Sequence, residues 1–270
     1  MPGTAPVAFI TGASSGIGAE FARRLAARQY SLILVARRKD RLEQLAAELG
    51  PAGAAPADIL AADLATDAGL EAAEERIRRE PNLELLINNA GFGTRGLFQQ
   101  ADGLTQERMH RLHVLATVRL THAALGGMVA RGRGGIINVS SVAAFNVTPS
   151  NVSYCATKAW MNRFTEGLAL ELSTMGSPVK VQALCPGFTR TEFHEVLGVG
   201  HDFIGPGWWM SAGEVVAASL DGLAKGRVIV IPGLRYKILV LLSRLTPGFL
   251  QKAAILRYAR RTGRLPGASQ

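Results

Sequence analysis

Cysteine is almost missing from this chain: two residues in 270, Cys155 and Cys185. So few thiols rule out a disulfide framework or a cysteine-built metal site and suit a reducing compartment, so a cytoplasmic protein is expected. No run of about 18 uncharged apolar residues occurs, so no membrane-spanning helix is expected. The N-terminus, "MPGTAPVAFI", has no basic segment ahead of a long apolar stretch, which argues against a signal peptide. Acid is absent from residues 225–270, which carry ten Lys/Arg, whereas residues 1–224 hold 20 Lys/Arg against 21 Asp/Glu. The net charge of +9 is therefore a property of the C-terminal segment and not of the body. No zinc finger, recognition helix or aromatic–basic interleaving accompanies it, so nucleic acid is not an expected partner.

What is present is an alternation. Short apolar runs at 7–10, 31–36, 58–63, 83–88, 135–140, 179–184 and 227–231 read as buried strands. Segments 16–28, 40–49, 67–80, 104–131, 153–174 and 211–225 carry the helical period between them, with stops at Gly50/Pro51 and Gly176/Pro178. The pattern predicts one α/β domain, a seven-stranded, mostly parallel sheet with helices on both faces.

The first strand runs into "TGASSGIG" (11–18), which opens the first helix. Gly12, Gly16 and Gly18 allow a sharp turn, close approach of backbone to a phosphate and tight helix–sheet packing, with Ser14, Ser15 and Ile17 between them. A pyrophosphate at the helix N-terminus is the functional reading, and a plain turn is the alternative. After the second strand the chain reads "LVARRKDR": Ala36 stands where an acid would hold ribose hydroxyls, and Arg37, Arg38 and Lys39 follow. A guanidinium matches a 2′-phosphate in a bidentate way, which favours NADP over NAD, although a solvated basic loop would read the same. Arg41 reads as a surface residue.

In "YCATK" (154–158), Tyr154 and Lys158 lie one helical turn apart and share a face. Taken alone, that pair is better explained as a solvated helix turn with an ordinary exposed lysine. With "TGASSGIG", "NNAG" (88–91), Ser141, "YCATK" and "PGFTRT" (186–191) in this order, however, the chain resembles the short-chain dehydrogenase/reductase family over roughly residues 5 to 232. The resemblance implies a doubly wound Rossmann-type domain with Tyr154 as general acid/base. It makes Lys158 the cation that lowers the phenol's pKa and grips the ribose, and Ser141, rather than its neighbour Ser140, the holder of the substrate oxygen. The chemistry is coherent: a free phenol titrates near about 10, and a nearby cation favours the phenolate. A carbonyl polarised by Ser141 and Tyr154 can then take hydride at carbon and a proton at oxygen.

Other roles follow by resemblance. Asp63 and Leu64 correspond to the adenine side of the cofactor site, with a helix cap as the alternative for Asp63. Asn89, Ala90 and Gly91 correspond to the cofactor-side turn, and Pro186, Gly187, Thr189 and Thr191 to the segment around the nicotinamide and its phosphates. Cys155 and Cys185 read as packing residues. His113 is a departure, standing where many members carry an asparagine that kinks the helix and holds a relay water. Imidazole could serve that relay, the site could lack it, or the alignment could be off by a turn. His110 and His122 read as helix-face residues.

Residues 188–212 read as a substrate lid, with Phe193, Phe203, Trp208 and Trp209 offering an apolar inner surface or simply pinning the loop. A bulky hydrophobic ketone or alcohol is expected rather than a sugar. Residues 233–270 form a basic extension with two amphipathic pieces, suited to an anionic membrane surface or a partner groove, or equally to packing back on the body. The expected protein is an NADP(H)-dependent carbonyl reductase or alcohol dehydrogenase, a homodimer or homotetramer. The alternatives are a nucleotide-binding regulatory or scaffold protein without turnover, and a membrane-surface adaptor working through its tail.

Overall fold

The computed structural model describes residues 5–50, 55–193 and 205–261. Seven strands form one all-parallel sheet: β1 (Val7–Thr11), β2 (Ser31–Ala36), β3 (Asp58–Ala61), β4 (Leu83–Asn88), β5 (Gly135–Val139), β6 (Lys180–Leu184) and β7 (Ile229–Val230). Their order is β3-β2-β1-β4-β5-β6-β7. The apolar runs are continuous, not alternating, because both faces of the sheet are covered; every residue of β1 and β5 is buried. The third strand stops two residues short of its sequence-based end, and the last is reduced to two residues.

On one face pack α1 (Gly16–Ala26), α2 (Lys39–Leu49) and α7 (Ala212–Ala224), through Phe21, Leu25, Leu42 and Val216. On the other lie α3 (Asp67–Arg78), α5 (Ala116–Arg131) and α6 (Val152–Thr174), through Leu70, Ile77, Leu120, Met128 and Leu172. Side-chain caps start several helices: Thr66 for α3, and a Ser211/Glu214 capping box for α7. The predicted helix over 104–131 is three pieces: α4 (Gly103–His110), a π-helical turn (Arg111–Leu115) and α5. By length and composition the run Gly103–Arg131 would suffice to cross a membrane. Here α5 packs one face on the sheet and α3, and Arg119 pairs in a bidentate way with Glu74 of α3, at 2.7 and 2.6 Å.

The strand order reverses between β1 and β4, so the loops leaving their C-terminal ends part and open a crevice. The tail continues as α8 (Leu234–Leu245) and α9 (Gly248–Arg261). α8 docks on the body through Tyr236 and Val240, both buried. Of the lid, residues 194–204, Phe203 among them, lie outside the described residues, as do tail residues 262–270.

Candidate active site

The crevice is braced from below. Thr11, buried at the end of β1, donates to the Ile87 carbonyl and accepts from the Asn89 and Ala90 amides, both at 2.9 Å. The Asn89 side chain donates to the carbonyls of Thr11 and Gly12, at 2.9 and 3.1 Å. Two turns from different strands are thus bolted together at the switch point. Glycine is required where they meet: a Cβ on Gly12 (φ +64°) would sit 2.8 Å from the Asn89 amide, and one on Gly18 would sit 2.3 Å from the Gly12 carbonyl oxygen. That close approach of bare backbone at the start of α1 is the cradle a dinucleotide's phosphates need.

Tyr154 and Lys158 come from the first turns of α6. Lys158 is buried and its Nζ donates to the Val139 carbonyl at 2.7 Å, while Ser140 donates to the Lys158 carbonyl at 3.0 Å. The end of β5 and the start of α6 are locked to each other by this pair. The two serines are thereby distinguished. Ser140 is buried and engaged with the backbone, whereas Ser141, which caps a 3₁₀ turn (Val142–Phe145), accepts from the Ala143 amide at 3.1 Å and shares a hydrogen bond with the Tyr154 phenol at the cavity.

The electrostatics of these groups differ from the sequence-based expectation. Tyr154 is partly open to the cavity, yet burial of its hydroxyl pushes the phenol up to about 12, against a smaller opposing pull from its hydrogen bond with Ser141. Burial likewise brings Lys158 down to about 7. The lysine's Nζ is 5.8 Å from the centre of the tyrosine ring. In the protein by itself, then, desolvation is the largest influence on the phenol, and Tyr154 is protonated at neutral pH. Cys185, pushed up to about 12 by burial, is no nucleophile, and Cys155 is a buried free thiol.

His113 occupies the π-helical turn and is fully buried. Its Nε2 accepts from the Phe92 amide at 3.2 Å, so Nδ1 carries the proton and donates to Thr157 Oγ1 at 2.9 Å. Thr157 in turn donates to the Tyr154 carbonyl at 3.0 Å. Burial, with the Lys158 charge second, holds the imidazole well below its ordinary value, and it is neutral. Both nitrogens are engaged with protein groups, Phe92 on one side and Thr157 on the other.

At the far end Arg38 donates to Ser14 and Ser15, both at 3.1 Å, and pairs with Glu192 at 2.9 Å. This pair crosses the groove between the β2 end and the 186–193 segment. Among the described residues Arg37 makes no hydrogen bond or ion pair; it lines the cavity and its charge acts on Asp63. Asp63 is not the cap of α3, which is Thr66. It accepts from the Ala65 amide and from Arg108 Nη2 at 2.6 Å, and these partners outweigh burial to lower its pKa. Leu64 lies buried beside it.

One continuous cavity of ≈ 940 Å³ joins these groups, from Gly12 and the two arginines to Ser141, Tyr154 and Lys158. It also takes in Asn89, Ala90 and Gly91 on one side and Pro186, Gly187, Thr189 and Thr191 on the other. Its outer part is apolar: Phe193 lies 5.9 Å from the Tyr154 ring, and Trp208 packs edge-on against Tyr236 at 5.6 Å. Thr189 and Met210 form a lone parallel bridge that ties the two ends of the lid together. Tyr236, from α8, completes the wall. Its hydroxyl accepts from the Phe188 amide at 2.9 Å and donates to the Trp208 carbonyl at 2.5 Å, and its ring fills the space over Gly187, where a Cβ would be 2.0 Å away.

Sequence reasoning missed Thr157, Arg108, Glu192 and Tyr236. Thr157 lies inside "YCATK" and could have been asked what it bonds; the other three meet their partners only through tertiary contact. No group of three or more His, Cys, Asp or Glu suited to a metal ion occurs among the described residues.

Residues 6–199 match the short chain dehydrogenase family. Human dehydrogenase/reductase SDR family member 7 is 34% identical over 193 residues, which span 70% of this chain and 57% of that protein. The short-chain dehydrogenase from Sphingobium yanoikuyae in complex with NADPH is 39% identical, with a TM-score of 0.80 covering 87% of this chain and 92% of that one. The bulky-bulky ketone specific alcohol dehydrogenase from Comamonas testosteroni is 34% identical, with a TM-score of 0.77 covering 88% and 92% respectively.

Proposed function

The chain belongs to the short-chain dehydrogenase/reductase family, and on that premise we propose that it is an NADP-dependent carbonyl reductase for a bulky apolar ketone. The observation that carries this reading is the meeting of Ser141, Tyr154 and Lys158 with a basic phosphate end and an apolar outer wall in one ≈ 940 Å³ cavity. Two arginines follow β2 and no acid stands at Ala36, which favours a 2′-phosphate. The NADPH-bound and bulky-ketone relatives support the same choice of cofactor and substrate class.

The residues divide the work. A bound nicotinamide would supply the hydride for the substrate carbon. Ser141 and Tyr154 bind the carbonyl oxygen and draw its electrons, and Tyr154 gives up its proton to that oxygen. Lys158 holds the position of Tyr154's turn, and its ammonium would hydrogen-bond the ribose hydroxyls of a bound cofactor. The aromatic wall of Phe193 and Trp208 excludes water from the reacting carbonyl and takes the substrate's apolar part. The buried free thiols support a reducing, cytoplasmic setting.

The test is NADPH and NADH oxidation across a panel of ketones graded by bulk, with a sugar aldehyde as control. Turnover with NADPH that rises with apolar bulk is expected. Binding of NADPH without turnover of any ketone would leave a nucleotide-binding protein, and preference for NADH or for the sugar would overturn the assignment of cofactor or substrate class.

A further inference from the structure

α8 is apolar on two opposite faces. Tyr236 and Val240 point inward and are buried. Leu234, Ile238, Leu241 and Leu245, at spacings of four, three and four, form a ridge on the opposite side with exposures of 71%, 47%, 57% and 72%. Phe249, 74% exposed, carries the ridge into α9. A helix packed by one face on a soluble body is ordinarily polar on the other, and an apolar outer face of this length calls for something to cover it.

Charge identifies what does. Lys237 lies within one turn of both Leu234 and Leu241, and Lys252 and Arg257 follow on α9. None of these three has an ion-pair partner among the described residues, and the sequence holds no acid after Asp221. A second copy docked here by twofold symmetry would bring the same unneutralised cations together, with no acid in the segment to answer them. An apolar ridge edged by cations matches the acyl–headgroup boundary of an anionic bilayer. The ridge also continues into the cavity: Leu239 and Leu242 are partly exposed and line its outer end.

We propose that the outer face of α8 and the start of α9 docks on an anionic lipid surface, with the cavity mouth against the membrane, where an apolar substrate would partition. The docking stands independently of the reaction. It is tested with the full chain by co-sedimentation with vesicles of phosphatidylcholine alone and of equal parts phosphatidylcholine and phosphatidylserine, at low and high salt. Retention by the phosphatidylserine vesicles, weakened by salt, is expected. The double variant Leu241→Glu/Leu245→Glu should lower retention by more than about tenfold, and Lys237→Glu by about fivefold, with melting temperature unchanged. No retention of the wild type, retention unaffected by the double variant, or equal retention by phosphatidylcholine alone would overturn the proposal. So would self-association in gel filtration that the double variant abolishes while vesicles retain nothing.

Discussion

The Nδ1 of His113 lies 2.9 Å from the Oγ1 of Thr157, three residues along the helix from Tyr154. The tautomer set by the Phe92 amide makes the imidazole a donor to the threonine, and the threonine a donor to the Tyr154 carbonyl. His113 is thus a positioning residue that ties the π-helical turn to the turn carrying Tyr154.

Removing either member should leave the other's buried polar group unsatisfied. His113→Ala and Thr157→Val should each cost about 1–3 kcal/mol of stability, and the double variant little more than one of them. Additive costs in denaturant titrations would show that the two are not coupled. His113→Asn should recover much of the lost stability, since an amide can also accept from Phe92 and donate to Thr157.

The same histidine predicts a pH dependence. Its folded value is depressed, so its contribution to stability is present above about pH 6.5 and is lost as pH falls further, because the unfolded chain takes up the proton first. Wild type should lose melting temperature on acidification more steeply than His113→Asn. Parallel curves would count against a neutral buried imidazole.

Lys158, at about 7 in the fold against 10.5 unfolded, works in the same direction over a higher window. Stability should rise as pH increases from about 7 toward about 10, and Lys158→Met should flatten that rise while abolishing turnover. The readout is melting temperature against pH for both proteins. An unflattened slope would place the titration elsewhere.

Tyr154→Phe should reduce kcat by about 10²–10⁴-fold with NADPH affinity nearly unchanged. A variant retaining more than about a tenth of wild-type turnover would remove Tyr154 from the role of proton donor.

Beside β2, Arg37→Ala should weaken NADPH about 10- to 100-fold and NADH far less, since Arg37, unlike Arg38, makes no hydrogen bond or ion pair among the described residues. Arg38→Ala removes the bridge to Glu192 as well as contacts to Ser14 and Ser15, so it should affect both cofactors. The reverse pattern in binding titrations would make Arg38 the reader of the 2′-phosphate.

Local patterns carried much of this protein. The continuous apolar runs fix buried parallel strands because such strands must be shielded on both faces. The glycines of "TGASSGIG" mark a turn that a Cβ would block, and the four-residue spacing of Tyr154 and Lys158 puts both on one helical face whatever surrounds them. Tertiary structure decided the rest, because it depends on partners distant in sequence. Two adjacent serines are alike until Ser140 meets the Lys158 carbonyl, and the phenol's affinity for its proton follows from burial, which no spacing encodes. Arg38 and Glu192 lie 154 positions apart. Tyr236 belongs to a tail that composition alone shows only as basic and apolar; it becomes part of the cavity wall because Gly187 leaves room for its ring and the backbone at Phe188 and Trp208 satisfies its hydroxyl.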